Sequence, residues 1–251
     1  MIHPAAVIHS DARLADGVEV HPYVVIAADV SVGEGTVLLP GTIVEDGARI
    51  GKHCRVGPYA TVGGVPMDSN FKGETSFVVL EDHVTVREFA SIHRATGEGT
   101  ETRVGSGTLV MSYVHVSHNV QVGKGCTLTS KAQLAGHCSV GDYAFLGAAA
   151  MMHQYGRIGS YAMFGALSGA GQDILPFCLA RGQPAKHAAL NRVGLLRHGI
   201  EGERYHYIKQ AFRAFRKRDK ARVAELAELS TDVRQMLEFV QSSTRGILKF
   251  Y

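Results

Sequence analysis

The chain is 251 residues long and carries a formal net charge of +3. This charge is too small to indicate a nucleic-acid partner, and the longest apolar stretch, residues 144–152, is far shorter than the ~20 residues of a membrane-spanning helix. Residues 1–10 lack the charged and apolar regions of a secretory signal peptide, so we expect a cytoplasmic protein.

An aliphatic residue recurs on every sixth position in one register that starts at Ile8, Leu14 and Val20 and runs, with pauses, to Phe164. Four positions after each of these, small or β-branched residues such as Thr36 and Ala60 recur. A fixed six-residue period is typical of a parallel β-helix, in which three hexapeptides form one triangular coil of 18 residues. The sequence therefore predicts a mainly β solenoid over residues 1–175.

Two segments interrupt the period, residues 63–77 and residues 95–102. Both are rich in glycine, serine, threonine and charged residues, so we interpret them as loops ejected from the coil. Ordered insertions on a rigid scaffold often carry function.

The cysteines are not expected to take part in catalysis or metal binding. Cys54, Cys126 and Cys138 occupy the small-residue register, which predicts buried, structural side chains. Cys178 is isolated, and none of the four lies in a C-x-x-C or similar zinc-binding spacing.

The hexapeptide period fades after Leu175, and from about residue 190 the apolar spacing becomes helical, as at Tyr207, Ile208 and Ala211. Further amphipathic helices are predicted over residues 221–229 and 232–242. Residues 176–251 are thus predicted to form a small C-terminal α-helical domain.

Beyond residue 104 the register is uninterrupted, so residues 18 apart are predicted to stack in adjacent coils. This arithmetic gathers seven residues on one side of the prism: His115, His118, Asn119, Gly136, His137, His153 and Gln154. Four converging histidines indicate a general acid–base site or a metal site.

We favour the general-base interpretation. A histidine titrates near neutrality and can remove the proton of a sugar hydroxyl, which is too weakly acidic to attack unaided. Gly136, directly over His118, would expose a backbone N–H to an oxyanion, and Asn119 could orient the imidazole.

Six short stretches carry a family resemblance: ASIHR (residues 90–94), HVSHNVQVG (115–123), LAGHCSVGD (134–142), HQYGRIG (153–159), ARGQPA (180–185) and STRGIL (243–248). At these residues the chain closely resembles the acyl-[acyl-carrier-protein]–UDP-N-acetylglucosamine O-acyltransferases that open lipid A biosynthesis. The resemblance covers essentially the whole chain and implies a left-handed coil.

The resemblance also implies an activity. His118 would deprotonate the glucosamine 3-hydroxyl of UDP-N-acetylglucosamine, which then attacks an (R)-3-hydroxyacyl thioester on acyl carrier protein, with Gly136 N–H holding the oxyanion and Asn119 as the partner of His118. It implies a homotrimer with sites at the subunit clefts, with Asp68 reaching the site from a neighbouring subunit. It implies no metal and no cofactor beyond the phosphopantetheine thioester of the carrier protein. The implied substrate-binding residues are Asp68, His115, His137, His153, Gln154, Asn191, Arg197 and His198.

Several positions depart from the family pattern. Asn119 stands where an aspartate is usual, which preserves orientation but removes a charge that offsets the imidazolium. Ala166 aligns with a glycine that sets acyl-chain length, so its methyl group should shorten the preferred chain. The remaining departures are Asn70 for a lysine, Val193 for an acidic residue and His198 for an arginine.

Two alternatives remain open. A related UDP-amino-sugar N-acyltransferase shares the coil and a His-Asn pair, and a zinc-dependent hydratase uses the same coil with histidine ligands.

A basic run in the helical domain could dock the acidic carrier protein, or it could be an ordinary solvated helix face: Arg204, Lys209, Arg213, Arg216, Lys217, Arg218, Lys220 and Arg222.

Overall fold

The structure, a computed structural model, describes all 251 residues, and the six-residue period becomes a series of very short strands. In chain order the strands are β1 Val7–Ile8, β2 Arg13–Leu14, β3 Glu19–Val20, β4 Val25–Ile26, β5 Ser31–Val32, β6 Val37–Leu38, β7 Ile43–Val44, β8 Ala48–Ile50, β9 Arg55–Val56, β10 Thr61–Gly64, β11 Phe77–Leu80, β12 Thr85–Val86, β13 Ser91–His93, β14 Glu101–Val104, β15 Leu109–Val110, β16 His115–Val116, β17 Gln121–Val122, β18 Thr127–Leu128, β19 Gln133–Leu134, β20 Ser139–Val140, β21 Phe145–Leu146, β22 Met151–Met152, β23 Arg157–Ile158, β24 Met163–Phe164, β25 Gly169–Ala170, β26 Cys178–Gly182 and β27 Ala185–Leu190.

These strands form the three faces of a left-handed parallel β-helix, as predicted. Each strand pairs with the strand three later, so β1, β4 and their successors through β25 make face 1. Face 2 runs from β2 to β23, and face 3 runs from β3 to β24 and ends with β26 and β27. We name the corners by the faces they join: edge 1–2, edge 2–3 and edge 3–1.

The strand ladder continues past both inserted loops, with one register shift between Val62 and Gly64 at the start of the first loop. Val62 pairs with Ile92 across the first insertion, and Leu80 pairs with Val104 across the second. Further along, Gln133 pairs with Met151 at the regular spacing of 18. The ladder therefore closes over both loops, and β10 and β14 extend into them by a few residues.

The interior of the coil is filled by the two registers seen in the sequence. Aliphatic residues such as Leu80 and Val116 are fully buried, and the buried hydroxyl of Thr108 donates to the carbonyl of Gly123 in the next coil at 2.9 Å. All four cysteines are free and buried, and burial raises the pKa of Cys126 and Cys138 to about 12. This confirms their structural interpretation.

The corners are built on residues with left-handed backbone. Asn119, His137 and Tyr155 have φ values of 58°, 59° and 62° and form one column on edge 1–2. Asparagine tolerates this conformation better than most residues because its short polar side chain can hydrogen-bond locally.

Helices follow the solenoid from Arg192, close to the predicted residue 190, but strands extend beyond the predicted domain boundary. Residues 178–190 form β26 and β27, and β26 pairs in parallel with β24, so face 3 continues past the predicted boundary at residue 175. The period is lost at Pro176, but strand pairing is not, because Leu179 still pairs with Met163. The helices are α1 Arg192–Arg197, α2 Gly202–Lys217, α3 Lys220–Leu229 and α4 Thr231–Gln241. No helix is both long and apolar enough to cross a membrane.

The C-terminal segment returns to the end of the solenoid. Asp173, 1% exposed, pairs with the guanidinium of Arg157 at 2.9 Å and accepts from the hydroxyl of Ser243 at 2.7 Å. The imidazole of His187 accepts from Leu175 N–H and lies 3.0 Å from the carbonyl oxygen of Leu248. Burial lowers the pKa of His187 to about 4, so it is neutral and joins both domains through hydrogen bonds.

Candidate active site

The side chain of Asn119 anchors the second inserted loop. Its Oδ1 accepts from the backbone N–H of Thr96 at 3.0 Å, and its Nδ2 donates to the carbonyl oxygen of the same residue at 3.0 Å. Because the N–H of Thr96 can only donate and its carbonyl oxygen can only accept, these contacts distinguish the two ends of the amide. The orientation of the Asn119 amide is thereby fixed.

This orientation also fixes the tautomer of His118. Oδ1 of Asn119 lies 2.9 Å from Nδ1 of His118, and an oxygen can only accept, so Nδ1 carries the proton. The other ring nitrogen, Nε2, then holds a free lone pair. His118 is 8% exposed, so only a small part of the residue reaches the surface.

Gly136 lies against the free nitrogen of His118, as the spacing of 18 predicted. A Cβ atom built on Gly136 would lie 2.5 Å from Cε1 and Nε2 of His118, which leaves no room for a side chain. The next coil repeats the stacking, since Tyr155 N–H donates to the carbonyl of Gly136. The N–H of Gly136 makes no hydrogen bond within the chain and can donate to a ligand.

Asp68 lies on the first inserted loop, and it approaches His118 of its own chain. Its carboxylate is 3.8 Å from Nδ1 of His118. The resemblance implied that this residue reaches the site of a neighbouring subunit, whereas within one chain it lies beside His118 of its own site. The cause is that loop 65–76 folds back along edge 1–2, where Glu74 accepts from the backbone N–H of Gly97 in the second loop at 2.8 Å.

Two further histidines flank His118. The ring of His137 stands edge-on to His118 with centroids 5.1 Å apart, and it stacks on Tyr155 at 4.6 Å. His115 contacts the hydroxyl of Ser91 through Nδ1 at 2.9 Å. Burial, followed by the neighbouring histidines, lowers the pKa of His115 to about 4, and burial also lowers the pKa of His137. Both rings are therefore neutral at physiological pH.

The remaining residues of the predicted column lie in the next coil. His153 and Gln154 are exposed, and Nδ1 of His153 faces only the carbonyl of Gln154. They border the site without touching His118. No group of three or more histidine, cysteine, aspartate or glutamate side chains is placed to hold one metal ion.

Four predicted residues lie elsewhere on the prism. Asn191 caps α1 and donates to the carbonyl of Tyr161 at 2.9 Å, and His198 packs against Tyr143 and Tyr161 on edge 2–3. Arg197, in the last turn of α1, is exposed near them. Ala166 is exposed on edge 3–1, which is a third corner. One chain therefore does not bring these residues to His118.

Sequence reasoning missed the residues that support the site. Thr96 and Glu74 come from the irregular loops, where no period indicates which residues meet. Ser91 could have been found from the sequence. It pairs with His115 at a spacing of 24 residues, which is the length of one coil plus the length that the second insertion adds.

Comparison with known proteins gives a consistent family. Residues 173–248 match the family model described as UDP-N-acetylglucosamine O-acyltransferase, domain 2, and residues 29–64 match the bacterial transferase hexapeptide repeats. An acyl-[acyl-carrier-protein]–UDP-N-acetylglucosamine O-acyltransferase of Thermodesulfovibrio yellowstonii is 37% identical over 99% of both chains. The protein of the same name from Chlamydia caviae is 42% identical over 98% of this chain and 91% of its own.

Solved structures agree with this assignment. The UDP-N-acetylglucosamine acyltransferase of Francisella novicida superposes with a TM-score of 0.96 at 32% identity, covering 99% of this chain and 94% of that one. The enzyme of Bacteroides fragilis gives a TM-score of 0.94 at 30% identity, covering 99% and 100%. With relatives well above 30% identity along its whole length, the chain belongs to the UDP-N-acetylglucosamine O-acyltransferase family.

Proposed function

We propose that the protein transfers an (R)-3-hydroxyacyl group from acyl carrier protein to the 3-hydroxyl of UDP-N-acetylglucosamine, the first step of lipid A biosynthesis. The full-length similarity to enzymes of that name supports the substrates. The observation that carries the mechanism is the Asn119–Thr96 pairing, because it assigns the proton of the neutral His118 ring to Nδ1 and leaves the lone pair on Nε2.

In the proposed reaction, Nε2 of His118 takes the proton of the sugar 3-hydroxyl while the oxygen attacks the thioester carbonyl. The N–H of Gly136 donates to the oxyanion of the tetrahedral intermediate. Collapse of the intermediate breaks the carbon–sulfur bond, and the imidazolium returns its proton to the departing phosphopantetheine thiolate. Groups of this protein carry out every proton transfer in the reaction. The phosphopantetheine thioester of the acyl donor is the only cofactor-like group required.

The chemistry of the three faces supports a homotrimer. Outward positions on face 1 include exposed Val7, Val25 and Ile43, whereas face 2 presents Arg13 and Arg49. Face 3 is also apolar outside, at positions that include Leu109, Phe145, Met163 and Leu179. Burying face 1 of one copy against face 3 of the next around a threefold axis would cover both apolar surfaces.

Such an arrangement would also complete the site. Edge 1–2 of one copy, which carries His118, would meet edge 2–3 of its neighbour, which carries Asn191, Arg197 and His198. In the proposal these three contact the nucleotide or the phosphopantetheine arm, while His115, His137, His153 and Gln154 line the sugar pocket of the first copy. Ala166 lies near the inner end of the cleft and would meet the acyl chain.

Partner binding and location follow the same proposal. Of the eight residues in the basic run, Arg204 pairs with Asp232 and Arg222 with Glu225, while the other six are exposed and without an ion pair. These free cations would attract an acidic carrier protein. We place the protein in the cytoplasm, where the carrier protein and the sugar nucleotide are available.

The test is transfer by the purified protein from hydroxyacyl carrier proteins of graded length to UDP-N-acetylglucosamine. His118→Ala is expected to lower kcat by roughly 10²–10⁴-fold, the usual contribution of a general base. His9→Ala, an exposed histidine on an early coil, is the matched control and should keep full activity. Full activity of His118→Ala, or no transfer with any acyl chain, would refute the proposal. An acceptor with a 3-amino group tests the amino-sugar alternative in the same assay.

A further inference from the structure

Asn119 orients His118 but cannot balance its charge. The neutral amide is saturated by Nδ1 of His118 and by both polar groups of the Thr96 peptide. When Nε2 takes a proton, however, the imidazolium forms in a site where His118 is 8% exposed, and an unbalanced positive charge there is unfavourable. The compensating charge must come from another residue.

Asp68 is the carboxylate that faces this ring. Its Oδ2 lies 3.8 Å from Nδ1 of His118, and the two side chains are 16% and 10% exposed. The other titratable groups against His118 are His115 and His137, whose pKa values are lowered so that both stay neutral. Asp68 is therefore the only formal charge in contact with His118.

The carboxylate is ionised and held in place. Its Oδ1 accepts from the backbone N–H of Asn70 at 2.9 Å, and this hydrogen bond is the main cause that lowers the pKa of Asp68. The side chain of Asn70 donates to the same oxygen at 3.1 Å. The second oxygen, Oδ2, faces the imidazole, and the side chain of Thr96 also helps to lower the pKa of this carboxyl group.

We propose that Asp68 is the electrostatic partner of the catalytic imidazole. Asn119 orients the ring, and Asp68 stabilises the imidazolium. Asp68 acts through His118 and is a positioning residue. The inference rests on the proposed role of His118 as the base.

The experiment exchanges the two side chains. Asp68→Asn removes the charge with little change of shape, Asn119→Asp adds one at Nδ1, and the double variant moves the carboxylate from one position to the other. For each protein, kcat/KM is measured against pH, with Glu34→Gln as a control that removes an exposed carboxylate paired only with Lys52.

Loss of the negative charge makes the imidazolium less stable, so a lower pH is needed to protonate the base. In Asp68→Asn the midpoint of the acid limb should therefore move down by roughly one pH unit, and kcat on the plateau should fall roughly tenfold. In the double variant the midpoint should return towards the wild-type value. This holds even if Asn119→Asp lowers the rate by removing the hydrogen bond that Asn119 donates to Thr96. Glu34→Gln should leave the midpoint unchanged.

A second measurement does not need turnover. Diethyl pyrocarbonate modifies an imidazole only in its neutral form, and fragmentation in the mass spectrometer of the peptide that contains His115 and His118 gives the rate at His118 at each pH. The midpoint of this reactivity should move down by the same amount in Asp68→Asn.

The outcomes separate the two proposals. An unchanged midpoint in Asp68→Asn, with only a raised KM for the sugar nucleotide, would make Asp68 a substrate ligand and overturn the inference while His118 remains the base. If His118→Ala keeps full activity, the proposed function fails. In that case the modification midpoint still decides whether Asp68 balances the charge of this ring.

Discussion

Replacement of Gly136 by alanine tests the contact on which the proposed site depends. The backbone of Gly136 does not lie in the left-handed region, so alanine fits its conformation. The added Cβ would lie 2.5 Å from Cε1 and Nε2 of His118, whereas ordinary contacts begin near 3.4 Å. The atom that must yield is therefore a side chain, because no backbone atom is as close.

The size of the effect follows from this geometry. Relief of the overlap requires the imidazole to move by about 1 Å, which breaks the 2.9 Å hydrogen bond to Asn119 and turns Nε2 away from the acceptor. A displacement of that size at a reacting atom typically costs about 10²-fold in rate. The methyl group also crowds the N–H proposed to hold the oxyanion, so we expect kcat to fall at least 100-fold.

The assay is acyl transfer at saturating substrate, together with thermal unfolding. Gly171→Ala is the matched control, since its added Cβ would meet nothing within 4 Å and its φ is also outside the left-handed region. Gly136→Ala should keep the wild-type Tm within a few degrees, and Gly171→Ala should keep full activity. Normal kcat in a folded Gly136→Ala would show that the stacking of Gly136 on His118 has no catalytic role.

Two further predictions concern specificity and stability. Ala166 follows His118 by 48 residues, somewhat under three coils, which is about 13 Å along the axis at the usual strand spacing. Its replacement by glycine should favour the next longer acyl chain by roughly tenfold in kcat/KM; an unchanged chain-length profile would place the acyl groove elsewhere. The folded state binds a proton at His187 more weakly than the unfolded state does, so stability is lost as pH falls from about 6.5 towards 4, by up to about 3 kcal/mol. Urea unfolding at pH 7 and 4.5 should show this loss reduced in His187→Gln, and an equal pH dependence in both proteins would contradict it.

The solenoid was predictable because its physics is periodic. A residue such as Val116 is buried because its position in the six-residue period faces inward, and that position can be counted along the chain. The same count placed Gly136 over His118 and put three cysteines in the core. It failed after Pro176, where β26 keeps pairing with β24 although the period has ended.

The loops and the helical domain were not predictable in this way. The sequence indicated that residues 63–77 leave the coil, but the side on which they fold depends on contacts such as Glu74 with Gly97. For this reason the position of Asp68 beside His118 of its own chain could not be counted from the sequence. Asn119 was predicted to orient His118, yet its pairing with Thr96 joins residues that no period relates.

By itself, then, the sequence determined the fold and the column of residues around His118, because a repeat of fixed length converts spacing along the chain into position in space. Short motifs around these residues indicated the family. Only the tertiary structure decided the tautomer of His118 and the placement of Asp68 beside it. It also decided the separation of Asn191, Arg197 and His198 from that column. Those features depend on how irregular loops and a helical domain pack against the coil, and packing between segments without a common period is set by the whole folded chain.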